Sequence, residues 1–112
     1  MKVIHYGQDK LITGDDIADA LVRYAEFLAM ADLAATIDIP VLDADGKVVM
    51  ASVLLGPASQ IVALSKDTDA SEIVDEELVA NLAVRTKKIG PAKAIPSESP
   101  EDQSLARFVD DL

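Results

Sequence analysis

Few side chains in this sequence combine into chemistry. The one histidine, His5, lies in the apolar stretch Val3-Ile4-His5-Tyr6, and no serine or acid stands at a spacing that would complete a nucleophilic triad with it. A histidine in a strand near a chain end reads as structural or exposed rather than as a general base. Asp15 and Asp19 fall one helical turn apart and could, with Asp16, hold a hard cation such as Mg²⁺ or Ca²⁺. Acids in the first turn of a helix are what capping and the helix dipole demand, and these three read as that.

Asp43-Ala44-Asp45-Gly46 resembles half of an EF-hand loop, but the first ligand position would be Val41 and the twelfth Ser52, so it reads as a hairpin turn. Gly56-Pro57-Ala58-Ser59-Gln60 could offer backbone amides to an anion, yet it lacks the lysine and the following helix of a phosphate loop. The chain has no cysteine, which removes disulfides, thiolate metal sites and thiol nucleophiles. No catalytic, cofactor-binding or metal-binding residue is assigned, and the chain reads as a non-catalytic protein rather than an enzyme.

Charge narrows the partners. Twenty acids against ten bases give a net charge of −10, which opposes nucleic-acid phosphates and anionic membrane surfaces. The largest basic group, Arg85 with Lys87 and Lys88, falls near an expected helix end, where cations match the dipole. The first nine residues lack the apolar run of a signal peptide, and no stretch of about 18 apolar residues could span a membrane, so a cytoplasmic location is expected. Two Phe, two Tyr and no Trp mean that the core is aliphatic and alanine-rich.

The elements that must position any site follow from periodicity and turn chemistry. Val3 to Tyr6 before Gly7, with Leu11 and Ile12 after it, suggest a short strand or small hairpin. A helix is expected over 14–31, with Thr13 as N-cap, Asp16 at N3, and Ile12 and Ile17 in the staple positions. At 100° per residue, Ile17, Leu21, Tyr24 and Leu28 make one apolar stripe, while Ala18, Val22, Ala25 and Ala29 make a second beside it. A sheet covers only one of them. The pattern fails at Asp32, which projects toward Leu21 and Leu28, so the helix ends or turns near Ala31.

Residues 37–53 read as a hairpin around Asp43-Ala44-Asp45-Gly46-Lys47, a type I turn with Gly46 left-handed as a G1 bulge. That loop length pairs Val41 with Val49, Ile39 with Ala51 and Ile37 with Val53 on an apolar face, and Asp38 with Ser52 on the other. Pro40 cannot donate to a ladder, which suggests an edge strand. After the turn at Gly56-Pro57, Ile61 to Leu64 is expected as a third antiparallel strand of a meander. A second helix, anchored by Leu78 and Leu82 and interrupted by Asp75, is expected to stop at Ile89 before Gly90 and Pro91.

Beyond it the proline- and serine-rich stretch reads as a linker, followed from Ser99-Pro100 by a short amphipathic helix with Leu105, Phe108, Val109 and Leu112 on one side. The expected architecture is thus α+β: an antiparallel sheet of three to five strands, two main helices packed on one face, and a short C-terminal helix. Residues 1–89 form the domain, and residues 90–112 the linker and tail helix. The alanine stripe (Ala18, Val22, Ala25, Ala29) and the tail residues Leu105, Phe108, Val109 and Leu112 are the candidate contact surfaces. They point to a small acidic interaction module, a homodimer or the ligand of another protein. The competing expectation is a small-ligand-binding or enzymatic domain with its site between the sheet and the first helix, using His5, Asp32 or Ser59.

Overall fold

The computed structural model describes residues 1–58 and 60–94; the expected C-terminal helix with Leu105, Phe108, Val109 and Leu112 lies outside the described residues. The elements run β1 (Lys2–Tyr6), β2 (Asp9–Thr13), α1 (Asp15–Met30), β3 (Ala35–Leu42), β4 (Val48–Leu55), β5 (Ile61–Ser65) and α2 (Glu76–Ala94). The strands form one five-stranded sheet in the order β4-β3-β2-β1-β5, antiparallel at every pairing. This is an α+β fold with a five-stranded antiparallel sheet and two helices.

Local turn chemistry fixes both hairpins. In the first, Tyr6 pairs with Asp9, and Gly7 takes φ 61 at the first of the two turn positions, as a type II′ turn requires. In the second, Gly46 takes φ 80, the Gly46 amide donates to the Asp43 carbonyl at 3.1 Å, and the Asp43 amide donates to the Lys47 carbonyl at 2.8 Å. The register is the bulged one, with Val41 opposite Val49 and Ile37 opposite Val53. One oxygen of Asp43 accepts the amides of Asp45 and Lys47, each at 2.9 Å, so the first acid of the half-EF-hand pattern serves its own turn.

Two expectations about connectivity are corrected. β5 does not extend a meander from β4; it crosses to the far edge and pairs with β1, Val3 opposite Leu64 and Tyr6 opposite Ile61. β1 thereby gains a partner on each side, and β4 and β5 become the edges. Nor is the strand of Pro40 an edge. β3 lies between β4 and β2, but its ladder to β2 has a single register pair, Ile12 with Leu42. The buried Thr13 hydroxyl donates to the Pro40 carbonyl at 2.7 Å, so that carbonyl and the hydrogen-less nitrogen face β2 where its ladder has lapsed.

Thr13 is therefore the last strand residue, and Gly14 is the N-cap of α1, with no side-chain cap of its own. The cap comes from far along the chain: Glu72 accepts the Asp15 amide at 2.5 Å. At the other end Asp32 sits at φ 57, its amide donates to Ala29 at 3.2 Å, and the Leu33 amide donates to Leu28 at 2.9 Å. Those two bonds are a Schellman motif with aspartate in the left-handed position that more often holds glycine. The apparent misplacement of Asp32 is the helix stop.

α2 begins one residue after Asp75, which caps it by accepting the Leu78 amide at 3.0 Å, so Asp75 opens the helix and interrupts nothing. It also runs past the expected stop, through Gly90 to Ala94. The reason is a contact: a Cβ on Gly90 would lie 2.4 Å from the Phe27 ring, whose face also carries the Arg23 guanidinium at 5.3 Å. Glycine here admits Phe27 and does not end the helix. The core joins Ile17, Leu21 and Leu28 of α1 with Ile4, Ile39 and Leu55 of the sheet and Leu82 of α2.

Candidate functional site

Side chains along a strand alternate between faces, so the positions between the core residues form a second surface. On that surface Val48, Met50 and Leu54 of β4 and Val62 and Leu64 of β5 are 59%, 63%, 58%, 53% and 54% exposed. No element of the described chain covers them. Register sharpens the pattern, because Val48 pairs with Leu42, Leu42 with Ile12, Ile12 with Val3 and Val3 with Leu64. One unbroken row of five aliphatic residues therefore crosses all five strands, about 19 Å at the usual strand spacing. Lys10 and Asp38 are the ionised groups on this strand face, and Asp38 accepts the Ser52 hydroxyl at 2.5 Å.

A shallow cleft of about 360 Å³ opens on the same face, with Val3, Ile12 and Leu42 as its floor and His5, Lys10, Lys66, Asp43 and Ala44 around it. Its chemistry is thin. Asp43 is engaged by its turn, and among the described residues no serine, threonine or tyrosine hydroxyl lines the cleft beside His5 and the lysines. Among those residues neither lysine has an ion-pair partner.

The acidic groups gather elsewhere, most tightly where β1, α1 and the segment before α2 meet. Glu72 accepts the Met1 α-amine at 2.8 Å through one oxygen and the Asp15 amide through the other, while Asp15 lies 3.1 Å from the same amine. The amine's bond and then the Asp15 amide hold the Glu72 carboxyl below its ordinary value, and Glu72 followed by Asp15 raises the amine. Lys2 pairs with Asp19 beside them, which raises the lysine. Gly14 permits this junction, because a Cβ there would lie 1.8 Å from the Ile73 carbonyl oxygen. It is a structural clasp. Among the described residues no group of three His, Asp or Glu could hold a metal ion.

The residues singled out from sequence fall in separate places. Ala18 is fully buried in the core, Ala25 packs against it, Val22 is half-buried and Ala29 is exposed. His5 stands on the open sheet face, whereas Asp32 is exposed past the end of α1, and Ser59 lies outside the described residues. Sequence reasoning did not isolate the open face, although its signal was present. Val48, Met50, Leu54, Val62 and Leu64 are apolar at positions where a solvated face would be polar. No described helix is long and apolar enough to cross a membrane. No protein-family model, no curated protein and no solved structure matches this chain.

Proposed function

We propose that this chain is a small non-catalytic protein-interaction module that works through the open face of its sheet. In this reading both helices lie on the opposite side, where α1 meets β1, β5 and α2. The observation that carries the proposal is the aliphatic row from Val48 to Leu64 with Met50 and Val62 beside it and Leu54 farther along β4. Antiparallel sheets with one solvated face alternate apolar and polar residues along each strand, whereas β4 and β5 turn Val48, Met50, Leu54, Val62 and Leu64 away from the core. A contiguous apolar patch on a small chain marks a contact surface, and the thin chemistry of the cleft supports binding over catalysis.

A photocrosslinking residue placed at Leu64 tests the reading in the cells that make the protein, with Arg85, exposed on α2, as the control position. Protein adducts from Leu64 and none from Arg85 are expected. No adduct at Leu64, or equal adducts from both positions, refutes it.

A further inference from the structure

We infer that the cleft in the open sheet face is the seat of this chain's own segment 99–112, docked within the same molecule. The docking stands on the cleft and on that segment's sequence. Its consequence, that a tethered segment competes with outside partners for the face, rests on the interaction reading above.

The cleft sets the chemistry of its occupant. Val3, Ile12 and Leu42 form the floor, and Lys10, Lys66 and His5 stand around it with Asp43, one oxygen of which is taken up by the Asp45 and Lys47 amides. Neither lysine has an ion-pair partner among the described residues. An apolar floor beside unpaired cations suits an occupant that offers apolar side chains next to carboxylates.

Residues 99–112, which lie outside the described residues, carry that combination in their sequence. Leu105, Phe108, Val109 and Leu112 recur at i, i+3, i+4 and i+7, and at 100° per residue Glu101 and Asp102 precede them on the same side. A helix of this length is marginal alone in water, so its apolar side needs a cover. The segment has four acids and one base, and that charge selects among the clefts. A second cleft, about 230 Å³ between the start of α1 and α2, has Asp16, Glu72, Asp75 and Glu76 around Ile73 and Val79, and would repel it. The cleft with Lys10 and Lys66 attracts it.

Reach allows the docking. Eleven residue steps separate Ala94, the end of α2, from Leu105, which span at most about 36 Å. Passing from the helices to the other face of the sheet crosses two layers of about 10 Å each. A tether of this length holds the segment near the cleft at an effective concentration of about millimolar. A separate acidic partner lacks that advantage and must approach a chain of net charge −10.

Methyl NMR of the full-length protein tests the seat. With the segment docked, the Phe108 ring lies on the floor, so Phe108→Ala should remove a ring-current shift from the methyls of Val3, Ile12 and Leu42 while that of Val84, exposed on α2, keeps its position. Lys10→Glu with Lys66→Glu should abolish the response of those methyls to Phe108→Ala, and adding Glu101→Lys with Asp102→Lys should restore it. Dilution from ~1 mM to ~10 μM should leave the three methyls unmoved, because the contact is intramolecular.

Floor methyls that ignore Phe108→Ala overturn the inference, and if they respond instead to an added lysate, the occupant is a separate partner. Floor methyls that move with dilution also overturn it, since the segment then comes from another copy. Each of these leaves the interaction reading to stand on the Leu64 adducts. No adduct to another protein at Leu64, with floor methyls that answer to Phe108→Ala, removes that reading and keeps the docking.

Discussion

Replacing Gly14 by alanine separates two physical accounts of one residue, because they predict opposite signs. Gly14 has φ −66 and ψ 154, an extended conformation that any residue adopts. If backbone freedom were the whole matter, Gly14→Ala would stabilise the fold by about 0.4–1 kcal/mol by restricting the unfolded chain. The structure says otherwise, since the new Cβ would lie 1.8 Å from the Ile73 carbonyl oxygen and 2.9 Å from its carbon. Both are main-chain atoms that no rotamer change can move.

Relief needs the 72–73 segment to retreat by more than 1 Å, taking with it the Glu72 cap of the Asp15 amide and the buried Ile73 side chain. Overpacking of this kind costs about 1–3 kcal/mol, and loss of a cap about 1 kcal/mol more. A net destabilisation of about 2–4 kcal/mol lowers the melting temperature by at least about 8 °C in a domain of this size. Thermal unfolding followed by circular dichroism reads this directly. An unchanged or raised melting temperature would mean that residues 72–73 do not press on the start of α1.

Three further outcomes follow from the same structure. Gly46→Val should cost about 1–3 kcal/mol in urea unfolding, because φ is 80 with open space around the position, and Gly46→Asn should recover most of that. Gly90→Ala should destabilise the wild type, where the Phe27 ring occupies the Cβ site, and stabilise a Phe27→Ala background by up to about 1 kcal/mol, a sign change that a double-mutant cycle resolves. Glu72, with its carboxyl depressed first by the Met1 amine and then by the Asp15 amide, contributes stability that is present above its unfolded value of 4.5. That contribution is lost as pH falls through the lower folded value, so wild-type stability should drop more steeply than that of Glu72→Gln in acid.

What sequence reveals here depends on how local the determinant is. The hairpin of β3 and β4 follows from five turn residues that dictate its register, and α1 follows from its stripe. The partner of β5 is different. Ile61, Val62, Ala63 and Leu64 are apolar on both faces, so no alternation says which edge the strand joins. Thr13 imitates an N-cap because two aspartates follow it, while the real cap, Glu72, arrives from 57 residues away. Asp32 imitates a buried acid because a left-handed helix stop leaves the periodic pattern one residue late. Gly90 imitates a stop because its neighbour in space, Phe27, is invisible along the chain. The open face is the instructive case: its apolar residues were all readable, but only the assembled sheet order lines up Val48, Leu42, Ile12, Val3 and Leu64.

Methyl NMR of the full-length protein, compared between dilute purified chain and a lysate of the cells that make it, tests most directly whether the open sheet face is a contact surface. The methyl signals of Val48, Met50, Leu54, Val62 and Leu64 should shift or broaden in the lysate while that of Val84, exposed on α2, stays fixed. Sheet-face signals that match those of the purified chain, or changes confined to Val84, would contradict the interaction reading.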